Sequence, residues 1–176
     1  MTKSEIRKKV YANRLSLSDN FVSKNSEVIC DKLIKKFPDR NLTVFLYVGV
    51  KNEVKTDKIL SYYNNVYLPK TIGDTMYFSR YDGRLELGNF NIPEPCGVVA
   101  KEDTAPDLIV VPGVGFDLLK NRTGYGKGFY DKFLAKYKDA KKVGLAFSFQ
   151  IFDLIEDSEL HDIKMDEILT EKEDYE

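Results

Sequence analysis

The sequence has little that would place it in a membrane or in an oxidising compartment. Its two cysteines, Cys30 and Cys96, do not have metal-ligand spacing, and two thiols in a reducing compartment are expected rather than a disulfide. No apolar run approaches the length that spans a bilayer, and the charges near the N-terminus are not followed by an apolar signal segment. We therefore expect a cytoplasmic protein without a membrane partner.

The sequence also lacks an excess of charge of either sign. Lys and Arg number 27 and Asp and Glu number 28, which argues against a nucleic-acid partner. Histidine is nearly absent, so a Ser–His–Asp or Cys–His mechanism would have to use His161, the single one. Neither a Gly-x-Ser-x-Gly motif nor a catalytic cysteine setting accompanies it. We interpret His161 as structural.

What is present indicates a folded α/β domain. A chain of 176 residues with 43% apolar residues is long enough for one buried core, so we predict a single domain over residues 1–176. Continuous apolar runs at 42–48 and 108–111 are typical of strands covered on both faces. Because such strands alternate with amphipathic helices, the sequence predicts a three-layer, Rossmann-like α/β sandwich with a mostly parallel central sheet.

A glycine-rich turn follows the strand at 108–111 and leads into an amphipathic helical segment at 129–137. Its glycines are Gly124, Gly126 and Gly128. Where such a turn opens a helix, backbone N–H groups and the helix dipole attract phosphate. The spacing matches neither a Walker A loop nor a Rossmann fingerprint, and most glycine triplets are structural turns.

The side chains around this turn strengthen the phosphate hypothesis. Arg122 and Lys127 supply positive charge, and Asp131 supplies a carboxylate that can hold Mg²⁺. Tyr125, Phe129 and Tyr130 offer flat rings for stacking, although Phe129 and Tyr130 suit a core equally well. We predict that the turn holds the phosphates of a nucleotide and its metal ion.

Three regions distant in sequence offer further charged groups. Lys3, Arg7 and Arg14 share one face of a basic helix, where they either reach a polyanion together or form an ordinary solvated face. Glu53 follows a buried strand, at the sheet edge where ligands bind in α/β folds, although a solvated loop acid is the simpler interpretation. Asp162 precedes a strand and with Asp131 would suit Mg²⁺ bridging ATP phosphates.

Together these residues resemble the 5-formyltetrahydrofolate cyclo-ligase family, and the match spans nearly the whole chain. The most specific block is Arg122-x-Gly-Tyr-Gly-Lys-Gly-x-Tyr-Asp131. The other matching segments are Lys3-x-x-Ile-Arg7, Asn52-Glu53-Val-x-Thr56, Met76-x-Phe78, Leu85, Gly88, Glu94-Pro95, Asp107-Leu-Ile-Val-Val-Pro-Gly-Val, Phe116-Asp117, Gln150 and His161-Asp162-x-x-x-Asp166.

The resemblance implies conversion of 5-formyltetrahydrofolate to 5,10-methenyltetrahydrofolate, with ATP as co-substrate, Mg²⁺ as cofactor, and ADP and phosphate as products. Its small-molecule partners would be ATP and the folate, and the chain would be a monomer or weak homodimer. A regulatory nucleotide-binding module, or an enzyme that uses ATP or binds a sugar phosphate on a similar fold, is the alternative.

The resemblance also implies a role for each matching residue. Catalytic roles fall to Arg122, Tyr125 and Lys127. ATP binding falls to Lys3, Arg7, Arg122, Gly124, Tyr125, Gly126, Lys127, Gly128, Phe129 and Tyr130. Folate binding falls to Val48, Glu53, Tyr125, Gly126, Lys127, Gly128 and Phe129, and metal binding to Asp131 and Asp162.

This sequence departs from the usual family pattern at four positions. Thr123 replaces Leu, Phe129 replaces Tyr, Gly115 replaces Ala and Asp157 replaces Pro. None of these removes a charged or glycine position of the site. If Phe129 replaces a hydroxyl that contacts substrate, folate affinity is affected more than the type of reaction.

Overall fold

The computed structural model describes residues 1–73, 75–88, 92–99, 104–126, 128–159 and 162–176. Two helices begin the chain, α1 (Lys3–Leu15) and α2 (Asp19–Lys36). Thr2 and Glu5 form a capping box at the start of α1, and the Ser18 side chain accepts from the Phe21 N–H at the start of α2. Helix α2 ends just before Pro38, because the residue that precedes a proline disfavours the helical conformation.

The strands of the main sheet are β1 (Thr43–Phe45), β2 (Asn65–Ile72), β3 (Thr75–Arg80), β6 (Leu108–Pro112), β9 (Lys141–Leu145), β11 (Glu167–Leu169) and β12 (Asp174–Tyr175). They form a seven-stranded sheet in the order β12-β11-β9-β6-β1-β2-β3. Strands β1, β2, β6, β9 and β11 run parallel, while β3 and β12 pair antiparallel at the edges. The predicted α/β class with a mostly parallel central sheet is confirmed.

Successive side chains of the central strands enter two separate cores, one on each face of the sheet. In β6, Leu108 and Val110 join the core beneath α2 and α3 (Asp57–Tyr62), while Ile109 and Val111 join the core beneath α4 (Phe129–Leu134). This is the period of two that a strand imposes. Because both faces are covered, the strand reads as an unbroken apolar run.

Helix α1 packs away from the main sheet, against a three-stranded sheet of order β10-β7-β8. Ile6 and Val10 are fully buried there with Val114 and Ile155. The sheet contains β7 (Gly115–Asp117), β8 (Arg122–Thr123) and β10 (Ile151–Phe152), the last following a 3₁₀ turn at Ser148–Gln150. Strand β8 leads directly into the glycine turn, so α1 lies beside that turn.

Three expectations from composition and local pattern are wrong. The stretch 81–99 is rich in glycine, proline and asparagine, which predicts irregular structure, but it contains an antiparallel pair, β4 (Leu85–Leu87) with β5 (Pro93–Pro95). The acidic tail at 170–176 is predicted to fray, but it forms β12 beside β11. Thr56 is a candidate N-cap of α3, but its hydroxyl donates to the Tyr47 carbonyl instead. The prediction of a single domain stays a prediction.

The two cysteines are free thiols, as expected, with Cys30 buried and Cys96 exposed. Burial raises the pKa of the Cys30 thiol to about 12. Within the described ranges, no helix is both long and apolar enough to cross a membrane.

Candidate functional site

The glycine turn joins β8 to α4 through backbone conformations that favour glycine. Gly126 has φ 93° and Gly128 has φ 66°, both in the left-handed region. Gly124 serves a different need, since a Cβ there would lie 2.8 Å from Nη1 of Arg122. The turn therefore depends on its glycines for two separate physical reasons.

Arg122 is a buried cation at the base of this turn, 6% exposed. Its Nη2 donates to Oδ1 of Asp131 at 2.9 Å, and its guanidinium lies 5.6 Å from the centre of the Tyr130 ring. Its buried Nε has no hydrogen-bond partner among the described residues. A buried guanidinium with an unused donor is suited to an anionic ligand.

Helix α1 brings two predicted cations to the same area. Nε of Arg7 donates to the Gly124 carbonyl at 2.8 Å, which holds the helix to the turn. Nζ of Lys3 lies 2.6 Å from Oδ2 of Asp162. Residues more than 110 positions apart in sequence thus meet at one site, through contacts that the helical spacing alone could not specify.

Glu53 is the buried acid of the site, 5% exposed, in the loop after β1. Its Oε2 accepts from the Val50 N–H at 2.9 Å, and its Oε1 accepts from the Tyr125 hydroxyl. Nη1 of Arg14 lies 3.7 Å from the same Oε1. Burial raises the pKa of Glu53 above its ordinary value, while Arg14, the Tyr125 hydroxyl and the Val50 N–H oppose that rise.

Arg14 corrects the prediction of a shared polyanion-binding face. It is only 4% exposed and donates to the Tyr125 hydroxyl at 2.8 Å and to the Gly113 carbonyl at 3.0 Å. It therefore faces Glu53 and Tyr125, while Lys3 and Arg7 face Asp162 and Gly124. A sequence signal existed, because Arg14 lies four residues after Val10 on the apolar stripe that also contains Ile6.

The two predicted metal ligands are each paired with a cation. Asp131 contacts Arg122 and Asp162 contacts Lys3. Oδ2 of Asp131 makes no hydrogen bond to any described residue, so one carboxylate oxygen can face a metal. Among the residues described, no group of three or more His, Cys, Asp or Glu side chains is placed to hold a metal ion. The donors nevertheless fit Mg²⁺, which is commonly held by one or two carboxylates together with water and phosphate.

Of the remaining predicted site residues, one stacks on another ring, two pack against a core, and Lys127 lies outside the described residues. Tyr125 is 45% exposed and stacks on Tyr11 with ring centres 6.3 Å apart. Tyr130 packs against the core near α4, as one of the two interpretations expected, and burial raises its pKa. Val48 is partly buried against the opposite core. Lys127 and His161 lie outside the described residues.

Comparison with known proteins decides the relationship. A model of the 5-formyltetrahydrofolate cyclo-ligase family matches residues 1–171. The chain belongs to the 5-formyltetrahydrofolate cyclo-ligase family. The resemblance recognised from its motifs is therefore confirmed, and with it the prediction that the chain is an enzyme of this class.

Relatives across large evolutionary distances support this membership over nearly the full length of the chain. A probable 5-formyltetrahydrofolate cyclo-ligase of Schizosaccharomyces pombe is 31% identical, covering 97% of this chain and 95% of that protein. The solved structure of Aquifex aeolicus 5,10-methenyltetrahydrofolate synthetase is 36% identical, with a TM-score of 0.84 over 99% of this chain and 92% of that one. A Mycoplasma pneumoniae 5,10-methenyltetrahydrofolate synthetase structure, 25% identical, has a TM-score of 0.79 over 98% and 100% of the two chains.

Proposed function

We propose that this chain converts 5-formyltetrahydrofolate to 5,10-methenyltetrahydrofolate in an ATP- and Mg²⁺-dependent reaction that releases ADP and phosphate. Family membership supports the cyclo-ligase activity. The observation that carries the fuller proposal is the hydrogen bond from Tyr125 to Glu53. It joins the glycine turn, proposed for ATP, to the buried acid proposed for folate, so two ligands bound there would be neighbours.

In this proposal, the phosphates lie against the turn and the cations around it. Arg122 has a buried, unused Nε, and the Nη atoms of Arg7 make no hydrogen bond to a described residue. Both guanidiniums can therefore donate to phosphate oxygens while keeping the contacts that fix them. Charge placed in advance costs little reorganisation during phosphoryl transfer.

Asp131 and Asp162 would hold the metal. Bound Mg²⁺ supplies positive charge to the transferring phosphoryl group and helps to align it. Arg122 and Lys3 orient the two carboxylates through their ion pairs. Because a cation already neutralises each acid, we expect weak metal binding to the free protein and tighter binding once nucleotide supplies phosphate oxygens.

The chemistry solves a leaving-group problem. A formyl group on nitrogen is a poor electrophile, and its oxygen leaves poorly. Attack of the formyl oxygen on the γ-phosphorus forms an O–P bond and releases ADP. N10 then bonds to the formyl carbon and loses its proton, and the C–O bond breaks to release phosphate. The chain's own contribution is to hold the folate and ATP so that the formyl oxygen is aligned with the γ-phosphorus.

The direct test mixes the protein with ATP, Mg²⁺ and 5-formyltetrahydrofolate and follows the absorbance of the methenyl product. Omission of ATP, omission of Mg²⁺ and replacement of ATP by ADP are the controls, and each should abolish the signal. A folded protein that forms no product would overturn the proposal. Nucleotide binding without product would favour the regulatory module instead.

Several finer assignments stay predictions. These are the roles of Lys127 and Phe129, the cytoplasmic location, and the monomeric or weakly dimeric state. A Lys127→Ala variant should raise the KM for ATP or lower kcat because a positive charge is lost near the phosphates. Unchanged values of both constants would remove Lys127 from the site.

A further inference from the structure

Arg14 forms a junction between three separate segments of the chain. From α1, its Nη1 contacts both the Tyr125 hydroxyl of the glycine turn and the Glu53 carboxylate of the loop after β1. Its Nη2 holds the Gly113 carbonyl beyond β6. Its own carbonyl accepts from Nδ2 of Asn52 at 2.8 Å, so the helix also anchors the loop that carries Glu53.

Stability alone is a poor explanation for this arrangement. Charged groups lose solvation when buried, and exchanging a buried ion pair for packed apolar residues often costs nothing or stabilises. Nε of Arg14 adds a further unfavourable feature, because it is buried without a hydrogen-bond partner among the described residues. The geometry is instead suited to holding neighbouring groups in fixed positions, since a planar guanidinium donates its hydrogen bonds in fixed directions.

We propose that Arg14 is a positioning residue whose guanidinium fixes the Tyr125 hydroxyl and the Glu53 carboxylate relative to each other, completing the folate side of the site before any ligand binds. This inference rests on the proposed function, in which Glu53 faces the folate. Arg14 acts through its two neighbours, and its positive charge opposes the effect of burial by favouring the charged form of the carboxylate. A charged Glu53 accepts hydrogen bonds from a heterocycle bearing N–H groups, whereas a protonated one accepts fewer.

The groups around Glu53 explain why Arg14 is needed. Lys51 from the same loop and Arg14 from α1 are the cations that favour the charged carboxylate. The Tyr125 hydroxyl donates to Glu53, and burial followed by the negative charge of Glu53 raises the pKa values of Tyr47, Tyr125 and Tyr130. Of the two cations, only Arg14 is buried with the acid, so its field is screened least.

The first experiment compares Arg14→Gln and Arg14→Lys with Lys8→Gln, which removes one charge from an exposed position of the same helix. Arg14→Gln should raise the KM for folate by about tenfold or more and leave the KM for ATP within about twofold. Arg14→Lys should recover part of the loss, and Lys8→Gln should match the wild type. Equal changes in both KM values, or an unchanged folate KM, would overturn the proposal.

Tyr125→Phe provides a second variant in case Arg14→Gln does not fold. It keeps the ring and its stacking on Tyr11 while removing the hydroxyl that links Arg14 to Glu53. The same selective rise in folate KM is expected. An unchanged folate KM in this variant would show that the link has no positioning role.

A substrate-free measurement separates this inference from the proposed function. The carboxyl ¹³C signal of Glu53, assigned through Glu53→Gln, is titrated in the free protein by NMR. Its midpoint should move to higher pH in Arg14→Gln and return part of the way in Arg14→Lys. If wild-type protein gives no methenyl product, the proposed function fails, yet this titration still decides the inference. An unchanged midpoint in folded Arg14→Gln would overturn it.

Discussion

The two ends of helix α1 enter the same site but meet very different surroundings. At the N-terminal end, Lys3 and Arg7 are partly exposed and contact Asp162 and the backbone of the glycine turn. At the C-terminal end, Arg14 is buried against Glu53 and Tyr125. One short helix thus carries cations that water still reaches and one that water does not.

This difference in burial predicts which cations of α1 contribute to ligand binding and which also contribute to stability. A partly exposed cation can be exchanged at small cost to stability, because solvent compensates for the lost partner. Exchange of a buried cation costs more stability, because its removal leaves the charge of its acidic partner buried and unpaired. We therefore expect the N-terminal end to affect ligand constants alone and the C-terminal end to affect stability as well.

The largest expected effect is on stability and comes from breaking the buried pair on one side only. Arg14→Met leaves Glu53 buried without its cation and should lower the free energy of unfolding by about 3–5 kcal/mol. Arg14→Met combined with Glu53→Gln should recover much of that loss, since no unpaired charge remains. Urea denaturation of both variants measures the difference. A single variant as stable as the wild type would show that burial does not distinguish the two ends.

The next effect is on nucleotide binding. Arg7→Gln should raise the KM for ATP about tenfold, equivalent to ~1.4 kcal/mol, because one charged donor to phosphate is lost. Its free energy of unfolding should change by less than about 1 kcal/mol. Steady-state kinetics and urea denaturation are measured on the same preparation. A large loss of stability with unchanged ATP kinetics would show that Arg7 stabilises the fold and does not bind ATP.

A smaller, metal-specific effect is expected at Asp162, the partner of Lys3. Asp162→Asn should raise the Mg²⁺ concentration needed for half the maximal rate several-fold, because a carboxylate ligand is lost. Asp153→Asn removes the same charge from an exposed position that the site does not include, and is the matched control. Identical Mg²⁺ dependence in Asp162→Asn and the wild type would remove Asp162 from the metal site.

The smallest effect concerns pH. The pKa of Glu53 is raised above its ordinary value of 4.5 in the folded protein, so folding favours its protonated form. Its contribution to stability is fully present below that ordinary value and is lost as the pH rises through the folded pKa. Glu53→Gln should flatten this part of the stability profile, and Lys8→Gln should not. Thermal unfolding at a series of pH values tests this, and an unchanged profile in Glu53→Gln would contradict it.

The sequence predicted the parts of the fold that depend on local pattern. The apolar run of β6 is a pattern of neighbouring residues, and the strand that it predicts is confirmed. The β12 strand was missed because its pairing depends on β11 and not on its own composition. Tertiary context decided that element.

The candidate site divides in the same way. Motif spacing singled out Arg7, Arg122 and Glu53, but it could not show that Tyr125 would join the turn to Glu53. The prediction grouped Arg14 with Lys3 and Arg7 on a polyanion-binding face, whereas Arg14 contacts Tyr125 and Glu53. Helical periodicity shows which residues share a face but not what packs against that face. Its position on the apolar stripe was a signal for burial, and a buried cation requires a nearby acid.

The close packing of α1 on β7 has a consequence for exchanging sequence between relatives. A Cβ at Gly115 would lie 2.6 Å from Cγ2 of Ile6 and 2.9 Å from Cε2 of Phe152. An alanine there, the residue usual in the resemblance, would need smaller or shifted neighbours. Residues 6, 115 and 152 must therefore be exchanged together, and a chimera that transfers α1, which carries Ile6, without matching residues at 115 and 152 would displace the helix and the cations on it.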